Sequence, residues 1–581
     1  MKNSLKQIHK KETFCLGIES SADDFGVGIA SFTGEILANN YSSYIPVEGG
    51  IHPREAARHH SEVADKVLNE ALIAADVKPK DLSIIAFSQG PGLGPSLRTG
   101  ATVARALASY LNIPLIGVNH SVAHIEIGKL KTGVVDPVTL YVSGGNTMVT
   151  AFEAFRYRVF GETLDIALGN CLDVFAREVG LKHQKGVPLG AAIEHLAAKG
   201  KNLVSLPYVV KGMDLSLSGL LTSAIAQWHS NNCCLEDLCY SLQEHAFSMV
   251  TEVTERALAH TEKNEVLLTG GVAANKRLQS MLAIIAKEHD ARFDVVPIEF
   301  ATDNGAMIAW TGVLAYQQGL ITPFDESFVK LRWRVDKVDV PWINLVKTEE
   351  QQQLPVAPGC CSSNQESEKK IFKKGAEASL YLADWHERKV VIKVRISKKY
   401  RPDALDKLIR SYRTIHEPQL MHEAKAAQVP TPLIYMVNVP DASIIMEFIE
   451  GKQIKQLLNG ASMEKRKEYC IAIGELIGKL HSHGLIHGDL TTSNMILSPE
   501  GKIFFVDFGL GEKNIEIEAK GVDLHLMKRA LQSTHFQFWE ECFKAVLSGY
   551  TSIMGSETAE KVYEKIKEIE RRGRYIEERK Q

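Results

Sequence analysis

No apolar run in the 581-residue sequence approaches the ~18 residues that a membrane-spanning helix needs. The basic start, MKNSLKQIHKKETF, is not followed by an apolar signal core, so a cytoplasmic location is expected. Cysteine is scarce and poorly arranged for ligation. The nine cysteines form no CxxC pair, and the cluster Cys233, Cys234 and Cys239 has no second cluster to complete a zinc site. Reduced, unligated thiols are the expectation. A zincin-type peptidase is disfavoured because no HExxH occurs. The formal net charge of −3 does not advertise nucleic-acid binding, although a local basic patch would not show in that sum.

What is present suits a soluble protein of two or three domains: 45% hydrophobic and 24% charged residues on a chain too long for one core. Through the first ~320 residues, apolar runs such as FCLGIES, SIIAFSQ, TLYVSGG and VLLTGG alternate with helical spacing, which argues for α/β layers. The stretch GIESSADDFGVGIAS is echoed by YVSGGNTMVTAF, each a strand, a small polar turn and a strand. A two-lobed fold built from a duplicated unit is expected. Residues 347–370 are rich in Gln, Pro, Ser and Glu and read as a linker. The expected division is a domain over 1–325, a join over 326–370 and a second domain over 371–581.

The second domain carries IHGDLTTSN at 486–494 and VDFG at 506–509. Phosphoryl transfer needs a cation on the phosphates, carboxylate or amide groups for a metal, and a group that orients the acceptor. Lys393, inside VVIKVRI, suits the first role. Asn494 and Asp507 suit Mg²⁺ binding, and Asp489 suits the last. The order D-x4-N followed by D-F-G is specific. Gly375 in KKGAEASLY stands where a glycine-rich phosphate loop is expected, but one glycine cannot build a full cradle. ATP and Mg²⁺ are the cofactors implied.

In the first domain, His120 and His124 in NHSVAH share one face if the segment is helical, as a divalent metal requires. Tyr141 in YVSGGNT and Asp303 in ATDNGAMIA are nearby candidates for further ligands. Two His with hard oxygen donors suit Fe or Zn without deciding between them. The turns SGGNT and TGGVAAN let backbone N–H groups approach a phosphate. Asp165, Asn170 and Asp173 could bind ribose hydroxyls or cap helices.

The segments ESSADDFGVGI, GGIHPREAARHH, GPGLGPSLRTG, NHSVAH, YVSGGNT, GETLDIALGN, SLSGLLTSA, TGGVAANKRL and ATDNGAMIA run in order through residues 19–309. Together they resemble the universal tRNA threonylcarbamoyltransferase family. The resemblance implies the two-lobed fold of the actin and sugar-kinase ATPases. It also implies Tyr141 as the fourth metal ligand beside His120, His124 and Asp303. The donor adenylate is then expected against Tyr141, Val142, Ser143, Gly144 and Gly145, with Asp173, Asn275, and a glycine and glutamate of a PGGPxIE segment. Here that segment reads HQKGVPLGAAIE. Alignment back from IE gives Gly190 and Glu194, with Gly186 as the competing glycine.

The second domain resembles the small atypical RIO-like kinases of the KEOPS complex. It has Gly488 where ordinary protein kinases have an arginine before the catalytic Asp. That replacement, with little chain after Gly509, implies no phosphorylated activation loop. The family's glutamate partner for Lys393 falls on Glu417. The adjoining Pro418 is awkward in a helix, and Glu423 is the alternative. The terminal RRGRYIEERK matches the family's basic tail, which could meet RNA phosphates.

The whole chain thus looks like an archaeal fusion of the two families. The implied reaction moves threonylcarbamoyl from threonylcarbamoyl-AMP to the exocyclic amine of the adenosine beside the anticodon in ANN-decoding tRNA. The kinase-like domain would support or regulate it by ATP turnover or by Ser/Thr phosphorylation. Small dimerising and tRNA-binding KEOPS subunits are the partners implied. His52, His59 and His60 are candidates for a general base. A signalling Ser/Thr kinase with a regulatory N-terminal domain remains the alternative reading.

Overall fold

The computed structural model describes residues 13–46, 50–181, 189–343 and 370–572. Gly186, the basic tail from 573 and nearly all of the 347–370 linker lie outside them. Among the described helices, none is long and apolar enough to cross a membrane.

Two five-stranded sheets organise the N-terminal domain. The first contains Phe14–Glu19, Asp24–Ser31, Ile36–Ser43, Leu82–Gly90 and Leu115–Asn119. Its first three strands form an antiparallel meander. The fourth and fifth then add in parallel beside the first strand. The second sheet repeats this plan with Val138–Val142, Thr147–Glu153, Arg156–Glu162, Glu265–Thr269 and Arg292–Val295. The sequence echo is therefore the opening meander of a topological duplication.

The helix Gly305–Gln317 presses against the first sheet more closely than side chains permit. A Cβ on Gly17 would lie 2.1 Å from the Ala309 nitrogen, and one on Gly28 would lie 2.2 Å from that of Ala306. Glycine at these strand positions lets the helix backbone touch the sheet, and this fixes where the helix begins. Asn304 caps that start by accepting from the Met307 amide at 2.9 Å, leaving Asp303 just before the first turn.

The packed N-terminal body continues beyond 325. The Lys330 amide donates to the Gln89 carbonyl at 2.7 Å and the Val340 amide to that of Phe155 at 2.8 Å. Val335, Val340 and Ile343 bury themselves with Val122 and Ile125. Residues up to Ile343 thus lie along the first domain, where the join was expected from 326.

The C-terminal domain has a five-stranded antiparallel sheet in the order Lys370–Lys374, Ala378–Trp385, Arg388–Arg395, Ser443–Glu447, Ile434–Asn438. Helix Asp403–Ala426 accompanies it and contains Pro418 within its length. A helical lobe follows, built on Met463–Ser482, Ile517–Thr534, Trp539–Met554 and Ser556–Arg572. This is the α+β plan expected of a minimal kinase-like domain.

The two domains share buried contacts. Tyr400 and Leu510 of the second domain belong to the apolar core of the first. On helix Leu235–Thr261, Glu252 accepts from Arg401 at 2.6 Å and Arg413 at 2.9 Å, and Glu255 accepts from Lys398 at 2.6 Å. Arg529 reaches back to both Glu162 and Asp214.

Candidate functional site: two facing centres

The first centre grows from a strand-to-helix junction. Strand Leu115–Asn119 ends at Asn119, whose side chain accepts from the Val122 amide at 3.1 Å and starts helix His120–Thr132. His120 and His124 are one turn apart on it and both are buried. Asp303 arrives from the start of the glycine-seated helix, with Oδ1 3.1 Å from His124 Nε2 and 3.5 Å from His120 Nε2. The Tyr141 hydroxyl, from strand Val138–Val142, lies 3.2 Å from His120 Nε2. One ligand atom from each of His120, His124 and Asp303 falls within 4.8 Å of the others. The structure therefore brings together all four residues expected to hold a metal.

Two side chains that sequence reasoning missed organise this cluster. Glu19 ends the first strand and faces His120 Nδ1 at 3.0 Å, and the Ser21 hydroxyl lies 3.2 Å from the same atom. Glu19 faces Nδ1 and so takes its proton, which leaves Nε2, turned to Asp303 and Tyr141, as the nitrogen that would give up its proton to a metal, the arrangement usual for a metal-ligating imidazole. Burial lowers the proton affinity of His120, but Glu19 and Asp303 overcome this and bring it to about 9. For Asp303, burial pushes upward, yet His120 and His124 outweigh it and hold the carboxyl at about 2. With an anionic Asp303, imidazole nitrogens and a phenol oxygen, the donor set fits a borderline divalent ion. The acidic residue directly after an apolar strand, in GIES, was the available signal for Glu19.

Tyr141, in this cluster, begins the run of residues expected at the adenylate. Val142 ends its strand, and Ser143–Asn146 form a closed turn through the Ser143 amide to the Asn146 carbonyl at 2.8 Å. Gly144 and Gly145 leave the space beside their Cα atoms open. Helix Leu168–Glu178, which carries Asp173, docks its first turn there, the Gly169 amide donating to the Ser143 carbonyl at 3.2 Å. Asn275 caps helix Lys276–Glu288 and donates from Nδ2 to Gln243 at 3.1 Å. Glu194 meets the same helix start, accepting from the Lys276 amide at 2.8 Å. Gly190 lies on Glu194's own helix, Leu189–Ala197, with open space beside it. Asp165 instead takes a capping role, accepting from the Leu217 and Ser218 amides at 2.9 and 3.1 Å.

Of the candidate bases, His60 is buried and Nε2 lies 3.2 Å from the Ala22 carbonyl. Burial brings its pKa down to about 4. His59 faces the Ser42 hydroxyl at 3.1 Å, and His52 is exposed just ahead of helix Pro53–Ala74.

The second centre lies in the kinase-like domain. Lys393 Nζ meets Glu417 at 2.9 Å and Asp507 at 2.7 Å. Glu423 faces outward and pairs with Lys513 at 2.8 Å, so Glu417 is the residue brought to Lys393. Asn494 Nδ2 donates to Asp489 Oδ2 at 3.0 Å. Gly375 sits at the turn between the first two strands, its amide donating to the Ala378 carbonyl at 3.0 Å. Next to it, Glu377 accepts from Arg395 at 2.9 Å, and Arg395 also pairs with Glu417.

The catalytic loop is held by Asp523, which sequence reasoning also missed. Its carboxylate accepts from the His487 amide at 3.0 Å and the Gly488 amide at 2.9 Å, while His481 stands 3.1 Å away. Gly488 has φ +75°, and a Cβ there would sit 2.1 Å from the Leu510 carbonyl. The arginine of ordinary kinases cannot be accommodated in this backbone without rearrangement.

Comparison with known proteins agrees with both halves. The family model for tRNA N6-adenosine threonylcarbamoyltransferase matches residues 35–310, and that for a protein kinase domain matches 368–527. A Methanothermobacter thermautotrophicus protein is 48% identical over 561 residues, covering 97% of this chain and 99% of that one. A Methanocaldococcus jannaschii protein is 47% identical over 563 residues, covering 97% and 100%. Each is described as a probable bifunctional tRNA threonylcarbamoyladenosine biosynthesis protein. The class defined by fold and sites is a transferase joined to a kinase-like domain. The chain belongs to the family of bifunctional tRNA threonylcarbamoyladenosine biosynthesis proteins.

Proposed function

We propose that the N-terminal domain transfers threonylcarbamoyl from its adenylate to the exocyclic amine of the adenosine beside the anticodon of ANN-decoding tRNA. The supporting observation is the convergence of His120, His124, Tyr141 and Asp303 next to the open Ser143–Asn146 turn. The amine nitrogen attacks the carbamoyl carbon, the bond from that carbon to the phosphate oxygen breaks, and AMP departs, the proton lost by the amine passing to the departing phosphate or to solvent. A bound Fe or Zn ion would supply Lewis-acid stabilisation of the donor. The turn offers backbone N–H groups to the leaving phosphate, while Asp173, Gly190, Glu194 and Asn275 seat the nucleoside. An amine delocalised into a purine is a weak nucleophile, so orientation by these groups carries much of the acceleration.

The C-terminal domain, in this reading, hydrolyses ATP to drive or reset the tRNA cycle. Lys393 and Glu417 position the phosphates, Asn494 and Asp507 would hold Mg²⁺, and Asp489 orients the attacking water. Gly488 supports this over a signalling kinase, because its backbone leaves no place for the arginine that grips a phosphorylated activation loop. The setting is cytoplasmic, with small dimerising and tRNA-binding KEOPS subunits as partners. The full chain, unmodified tRNA, the donor and those subunits should yield threonylcarbamoyladenosine by nucleoside mass analysis. Asp507→Ala should abolish ATP hydrolysis and slow modification over many turnovers. Absence of the modified nucleoside in the complete mixture sinks the transferase reading. Full-rate modification by the variant sinks the coupling.

A further inference from the structure

Arg256 belongs to the transferase domain, yet its side chain enters the phosphoryl-transfer centre of the other domain. It extends from helix Leu235–Thr261 and is largely enclosed, at 11% side-chain exposure. Its guanidinium lies 2.9 Å from Glu377 Oε2, 3.1 Å from Glu252 Oε1 and 3.5 Å from Asp489 Oδ2. Glu377 is in the turn that would cover the phosphates. Asp489 is the carboxylate that would face the acceptor. The guanidinium therefore lies between the turn placed over the phosphates and the carboxylate placed at the acceptor.

An interface salt bridge would not require this position. Glu252 already has Arg401 and Arg413, and Glu377 already has Arg395. The other cations around the centre are committed. Lys393 holds Glu417 and Asp507, and Arg395 holds Glu417 and Glu377. Three carboxylates already offset the buried charge of Arg256, and the loosest of them, Asp489 at 3.5 Å, is the partner it can give up when a nucleoside triphosphate brings its own negative charge. Burial works against the guanidinium's charge, but Glu252 and Glu377 overcome this and keep it protonated throughout the working pH range.

We propose that Arg256 is a catalytic residue of the ATP site, supplied by the transferase domain to contact the γ-phosphoryl group during hydrolysis. The inference rests on the reading of the C-terminal domain as an ATPase. Water forms a bond to the γ-phosphorus, and the bond to the β,γ-bridging oxygen breaks with its electron pair leaving on ADP. Asp489 orients the water, whose proton passes to Asp489 or to the departing phosphate. Arg256 exchanges a carboxylate partner for the equatorial oxygens and stabilises the charge that spreads over them.

The test uses the full chain with Arg256→Ala and Arg256→Lys. Arg256→Gln, which keeps a donor toward Glu377, serves if the alanine variant does not fold. The kcat for ATP hydrolysis should fall about 10³-fold, the lower end for a transition-state arginine, and lysine should not restore it. Binding of ADP with aluminium fluoride should weaken by a comparable factor, while ADP alone binds within about 3-fold of the unmodified chain. Unchanged or raised hydrolysis would show a plug or a bystander and overturn the inference. A parallel loss of ADP affinity would show a structural role and overturn it too. Asp507→Ala separates the two levels. Hydrolysis retained there brings down the ATPase reading with the inference, whereas loss there alongside full activity in Arg256→Ala brings down the inference alone.

Discussion

The amide of Gly212, in the transferase domain, donates a 2.7 Å hydrogen bond to the carbonyl of Gly488 in the kinase catalytic loop. Gly212 turns the short hairpin Val210–Lys211 and Asp214–Leu215. The adjoining Lys211 pairs with Glu512 at 2.8 Å. The position where ordinary kinases carry the arginine before the catalytic Asp is thus a docking point for the other domain.

Restoring that arginine should damage the protein. Gly488→Arg puts a Cβ against the Leu510 carbonyl in a left-handed backbone, a strain of roughly 1–3 kcal/mol before any steric shift. The C-terminal domain should melt several degrees lower by calorimetry. Lys211→Ala, which removes only the ion pair with Glu512, is expected to weaken docking with a smaller effect on that domain's own melting.

The metal cluster gives a second expectation. His120→Ala and Asp303→Ala should each lose the bound ion, measured by elemental analysis, together with threonylcarbamoyl transfer. Glu19→Gln keeps the ligands but weakens the control of the His120 tautomer. It should lower metal affinity about 10–100-fold, as for other outer-shell partners.

Glu417 and Glu423 can be separated directly. Glu417→Gln leaves Lys393 and Arg395 short of a buried carboxylate and should cut ATP turnover by at least about 10-fold, since loss of a partner inside a buried pair costs ~3–5 kcal/mol. Glu423→Gln removes a partly exposed pair with Lys513 and should change turnover by less than about 2-fold.

Acid should loosen the domain interface. Burial alone would raise Glu162, but Arg529 and Arg334 outweigh it and hold its carboxyl at about 2 against an ordinary 4.5. Glu252 and Glu377 are likewise held low, burial being overcome chiefly by Arg413 in each case. Groups with depressed values stabilise fully above the ordinary carboxylate range. Their contribution is lost as pH falls from about 4.5 toward 2. Asp214 works oppositely: burial exceeds the pull of Arg529 and lifts it to about 6 from 3.8, so its contribution declines as pH rises between them. Thermal melts across pH 3 to 7 should show a dominant acid limb, and Asp214→Asn should flatten the shallow upper one.

The motifs located both centres in the sequence because phosphate turns, ligand pairs and catalytic loops are local in chain order. His120 and His124 are four apart, and Asp489 to Asn494 is a single loop. The duplicated sheet was legible for a similar reason, as each meander is contiguous. Glu19, Asp523 and Arg256 were not legible. Each acts on a residue far away in the chain, and nothing in its own segment names that partner. Pro418 shows the converse, where a local rule predicted disruption and the surrounding helix nonetheless continued through it.

Glu252 carries a consequence for inheritance. One carboxylate in the first half answers Arg256 beside it and Arg401 and Arg413 in the second. A substitution there would take a partner from three enclosed positive charges at once, so drift in either half has to be matched in the other. Exchanging one half for that of a distant relative should therefore succeed only when this carboxylate and its arginines travel together.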